Sequence, residues 1–125
     1  MAKPILPSLT ALALMGGAVG AQAEDLRWDA QGTASHVFTV APRSEHAACS
    51  RLAAGERVVW AFVAQGPVDF SVRDARTRQV VGDSSRSAVR EARDALEVTR
   101  PQAVCWAWVN RGTADIQVSL QLRKH

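Results

Sequence analysis

The chain has 125 residues, with 15 Lys and Arg against 12 Asp and Glu and a formal charge of +3. That length supports one hydrophobic core rather than two. The cations are nearly all Arg scattered singly along the chain, whereas a nucleic-acid binder gathers them on one face or segment, so that partner class is excluded.

The first 23 residues read as a secretory leader. Lys3 supplies a positive start, Ile5 to Val19 is apolar and uncharged, and Ala21-Gln22-Ala23 is a small-residue cleavage site. The apolar run, interrupted by Pro7, Gly16 and Gly17, is short for a bilayer span. No Cys stands at the cleavage site and no Arg pair precedes the run, so neither a lipid anchor nor twin-arginine export is indicated. The expectation is a leader over 1–23 and one domain over 24–125, periplasmic or secreted, soluble and without a stable membrane anchor. In an oxidising compartment Cys49 and Cys105 have only each other as intramolecular partners. Closing that loop restricts the unfolded chain by roughly 4 kcal/mol in the entropy model.

The elements then follow in order. Glu24 to Gly32 is polar, with Leu26 and Trp28 placed for an edge strand or a cover over the core. His36-Val37-Phe38-Thr39-Val40 is a strand ended by Pro42. The Ala-rich stretch Glu45 to Ala54, with Ser44 as cap and Gly55 as stop, reads as a helical turn. Arg57 to Ala64 is apolar on both alternating faces and reads as a central, covered strand. Gly66-Pro67 breaks it, and Val68, Phe70 and Val72 alternate with Asp69, Ser71 and Arg73 in what would be the second arm of a hairpin. Asp74 to Thr77 is a turn and Arg78 to Val81 a short strand. Ser84 to Ala92 is read as a loop or helical turn leading into a strand at Leu96-Glu97-Val98-Thr99. Ala103 to Val109 is a second doubly apolar strand. Asn110-Arg111-Gly112-Thr113 is a hairpin loop, and Ile116, Val118, Leu120 and Leu122 mark a closing strand with one wet face. Short strands between turn signals, without βαβ alternation, define an all-β class: a small antiparallel β-sandwich with Greek-key or jelly-roll-like connections and room for one short helical turn.

The order of landmarks resembles a GOLD-type domain over roughly Cys49 to Leu122. Those landmarks are a Cys before Gly55, the strands Val58 to Val63 and Val68 to Val72, then Cys105-Trp106-Ala107-Trp108-Val109-Asn110 and a closing alternating strand. The resemblance implies a sandwich with a disulfide from an early Cys to a late strand, and a general protein-binding habit. The chain has Pro101-Gln102-Ala103-Val104 where the family usually carries Gly-x-Tyr, and it lacks the coiled coil and membrane helix of cargo receptors, so no receptor role is implied. Pre-peptidase C-terminal domains look similar at the same level.

Candidate sites are few. Trp106 and Trp108 point to one side of their strand and Cys105, Ala107 and Val109 to the other. Either Trp60, Phe62 and the Leu26-Trp28 segment close over the two rings, or the pair is the core itself, or Trp60, Trp106 and Trp108 offer an aromatic binding surface. His46-Ala47-Ala48-Cys49 on a helical turn could join Cys105 and His36 around a soft metal, but paired cysteines leave no thiolate, so no metal and no cofactor is expected. Ser44, Ser50 and Asp69 combine with His36 or His46 only on paper, since no nucleophile sits on a strained elbow. Glu91, Asp94 and Glu97 read as solvated, and no residue is catalytic. The expected function is an exported, non-enzymatic binding or accessory domain whose partner is another envelope or secreted protein, a peptide or a glycan. The competing reading is a small envelope metal-binding protein or enzyme built on His36, His46, Cys49 and Cys105.

Overall fold

The computed structural model describes residues 21–125. The first 20 residues of the expected leader lie outside that range. Seven strands form one continuous sheet: β1 (Ala21–Asp25), β2 (Thr33–Val40), β3 (Ser44–Leu52), β4 (Arg57–Asp74), β5 (Arg86–Glu97), β6 (Gln102–Asn110) and β7 (Ile116–Lys124). Their spatial order is β1-β3-β6-β4-β7-β2, with β5 on the outside of β4. Among the described strands only β4 and β5 are neighbours both in sequence and in space. The remaining connections cross the sheet, as in a Greek key. Among the described residues no helix is long and apolar enough to cross a membrane.

The long β4 explains the architecture. Its even-numbered residues Val58, Trp60, Phe62, Ala64, Gly66, Val68, Phe70 and Val72 are all buried, so the period of two runs through Gly66-Pro67 without interruption. Before that dipeptide β4 pairs with β7, and after it with β6. The hairpin expected at Gly66-Pro67 is therefore a bend within one strand. A Cβ on Gly66 would sit 3.1 Å from Ile116 Cδ1, which is why the corner takes glycine. Bending there folds the sheet on itself, so that Phe38 of β2 packs 4.8 Å from Trp108 of β6 and 3.9 Å from His46 of β3, ring centre to ring centre. The result is a curled β-sandwich.

β5 answers the bend with a bulge. Val68 pairs with Val89 and Phe70 with Arg86, leaving one extra residue on β5, and Ala88 takes a left-handed conformation with a φ of 52°. Asp69 holds the bulge by accepting the Ala88 amide at 2.9 Å while its other oxygen binds Arg111.

Several expected elements are corrected. Ser44 to Leu52 is a strand, not a helical turn, because its ladder to β6 and the small alanines of both faces fit between neighbours, overriding helical propensity. Arg86 to Ala92 is likewise strand; its charges suit an exposed outer edge, where they block further pairing. Arg78 to Val81 contributes only a bridge from Val80 to Arg73. Asn110 to Thr113 is a crossover rather than a hairpin, since β6 and β7 flank β4 at different halves. The buried Asn110 fixes it, donating through Nδ2 to Val40 O and Ala114 O and accepting from the Gly112 amide. The closing strand β7 alternates buried and exposed as its sequence requires.

Candidate functional site

Cys49 and Cys105 stand opposite one another on β3 and β6 and are bonded. Neighbours in β3 alternate, so the sulfurs face outward while His46, Ala48 and Leu52 face the core. This separates the imidazoles from the thiols and overturns the site built on His36, His46, Cys49 and Cys105. The aromatic surface is overturned too. Trp106 and Trp108 are fully buried and Trp60 nearly so. Phe62 meets the Trp108 ring edge-on at 5.7 Å, and Phe70 and Phe38 pack at a tilt beside it. The Trp pair is the core, and the disulfide decorates the outside.

The residues offered for a catalytic triad are engaged elsewhere. Ser50 Oγ accepts from Trp28 Nε1 at 2.9 Å, Ser44 Oγ donates to Pro42 O, and Asp69 serves Ala88 and Arg111. Glu91, Asp94 and Glu97 are exposed on β5.

Two surfaces remain. The first is the outer face of the β2-β7-β4 layer. Val37 and Val63 both pair with Ser119, which puts them in one row across three strands, and Val59 lies further along β4. They are 60%, 52% and 38% exposed. The doubly apolar reading of Arg57 to Ala64 thus holds in sequence but not in burial, because none of the described residues lies over this side. Arg57, Arg93 and Arg123 border its Val59 end, with Asp94 beside them.

The second lies at the seam where the curl brings the sheet's two ends together. Glu24 of β1, His36 of β2 and His46 of β3 converge, with their ligating atoms within 4.8 Å of one another. Glu24 Oε2 meets His36 Nε2 and lies 3.7 Å from His46 Nε2. His46 is 4% exposed, its ring stacked on Phe38, and neither of its nitrogens has a hydrogen-bond partner among the described residues. Leaving such a group unpaired costs about 1–3 kcal/mol. Burial pushes the His46 pKa below its ordinary value, against the opposing pull of the Glu24 carboxylate and with help from neighbouring His36. Glu24 and His36 are about one-third exposed and open onto a depression of about 560 Å³ shared with Asp25, Leu26, Arg27 and Ser35. Sequence reasoning singled out both histidines but missed Glu24, since no local pattern signals that β1 meets β2.

These features define a small curled β-sandwich with a cross-strand disulfide and no catalytic constellation among the described residues. No family model matches the chain, and no curated protein matches it in sequence. Among solved structures it is similar to PliG of Aeromonas hydrophila, a periplasmic lysozyme inhibitor of g-type lysozyme, with a TM-score of 0.68 and 10% identity over 86% of this chain and 100% of that one. PliG of Salmonella Typhimurium gives a TM-score of 0.59 at 10% identity, covering 83% of this chain and 98% of its own. The pre-peptidase C-terminal domain of a Bacillus anthracis collagenase gives 0.56 at 7% identity, over 85% and 97%. Identities this low establish a shared fold. The sandwich implied by both sequence resemblances is present, and a pre-peptidase C-terminal domain is among the structures that share it.

Proposed function

We propose that the chain is an exported, non-enzymatic accessory protein that binds another envelope or secreted protein, acting as an inhibitor of a lysozyme-type hydrolase. The observation that carries this reading is the exposure of Val37 on β2 and of Val63 and Val59 on β4, on the outer face to either side of β7. A sheet face turned to water normally carries polar side chains. Exposed valines with arginines at one end have the composition of a protein-binding patch. The fold likeness to two periplasmic lysozyme inhibitors supports the choice of partner, and the disulfide suits an oxidising compartment.

The test is peptidoglycan lysis by a purified g-type lysozyme, titrated with the isolated protein. Lysis is expected to fall as protein is added, and Val63→Asp is expected to abolish the effect at unchanged Tm. Undiminished lysis at saturating protein, or equal inhibition by Val63→Asp, would contradict the proposal.

A further inference from the structure

The seam cluster holds a chemistry that partner binding does not use. Glu24, His36 and His46 come from three strands, and their donor atoms already lie within 4.8 Å of one another. A single ion with bonds of about 2.0–2.2 Å could touch all three after small side-chain rotations. His46 is the decisive member: it is buried, held by its stack on Phe38, and aimed at Glu24 with both nitrogens unpartnered. The other two ligands reach the surface, which provides an entry path and an open coordination position.

We infer that Glu24, His36 and His46 form a three-ligand site for a divalent transition metal, with Zn²⁺ as its occupant and a fourth position left to water or an external ligand. Two imidazole nitrogens and one carboxylate oxygen suit Zn²⁺. Ca²⁺ and Mg²⁺ require oxygen ligands throughout, and Cu⁺ favours the sulfur donors that the disulfide removes here. Bound at this point, the ion ties β1 to β2 and fastens the two free ends of the curled sheet, so metal binding stabilises the fold. If the leader is cut after Ala23, three of the five β1 residues leave with it, but Glu24 remains as the first residue, opposite Ala48 and followed by the Asp25–Cys49 pair and the Leu26 amide bond to Cys49 O, so the mature chain keeps all three ligands.

The experiment is equilibrium dialysis of the chelator-stripped exported protein against Zn²⁺, with its N-terminus determined by mass spectrometry and thermal unfolding followed in parallel. One Zn²⁺ per chain is expected, together with a rise in Tm and no binding of Ca²⁺ or Mg²⁺. Glu24→Gln and His36→Gln, both at partly exposed positions, should each weaken Zn²⁺ binding at least about tenfold and lose the Zn²⁺-dependent rise in Tm, while keeping the circular dichroism of the apo protein. His125→Ala should bind as the parent does. Absence of Zn²⁺ binding by the parent, equal binding by Glu24→Gln and His36→Gln, or an exported form that begins after Glu24 would overturn the inference.

Discussion

The two outer faces of the sandwich are built differently. The face of the β1-β3-β6 layer is cross-linked: Cys49 is bonded to Cys105, and Arg73 of β4 reaches over to Glu45 with two hydrogen bonds of 3.1 and 3.3 Å. Ala47 and Ala107 are buried between them. The face of the β2-β7-β4 layer has no comparable cover, and its valines meet solvent. One face is thus committed to holding the fold, while the other is free to meet a partner, and substitutions on the two should separate stability from binding.

The largest loss should come from the core that both layers share. Trp106→Ala is expected to cost about 3–5 kcal/mol in urea unfolding; a loss below about 1 kcal/mol would mean that this ring does not fill the interior. On the cross-linked face, replacing Cys49 and Cys105 together by Ala should cost roughly 4 kcal/mol, read as the drop in unfolding free energy relative to the oxidised parent. Asp69 tests the corner between the layers. The Arg111 hydrogen bond, and then the Ala88 amide, hold its carboxyl below the usual carboxylate range. A depressed folded pKa gives stability that is present above the unfolded value of about 4 and is lost as pH falls through the folded one. Asp69→Asn should therefore cost up to about 1 kcal/mol at pH 7, as for a solvent-screened pair, and the gap from the parent should close on acidification below pH ~4. A gap that persists or widens in acid would refute that role. On the open face, Val63→Asp should change stability by no more than about 0.5 kcal/mol while removing partner binding.

Much of this organisation was legible in the sequence, and the misreadings share a cause. The alternation of Ile116 to Leu122 survives as β7 because one side faces the core and the other water. The disulfide was legible from compartment and count alone. In Ala-rich β3 and charge-rich β5 local propensity favours helix or loop, and the ladders of β3 to β6 and of β5 to β4 make them extended. Gly66-Pro67 has the composition of a break, yet the buried even-numbered residues on either side keep one register. The exposed valines and the Glu24–His36–His46 seam depend on which layer covers which and on where the sheet's ends meet. Both are long-range outcomes that no short window records.

The central claim, a protein partner seated on the open face, is tested most directly by amide hydrogen exchange of the protein with and without g-type lysozyme. The account predicts added protection in the segments 35–39, 57–63 and 117–121, with the Cys49 and Cys105 strands unchanged. Protection confined to the disulfide layer, or no change at saturating lysozyme, would contradict it.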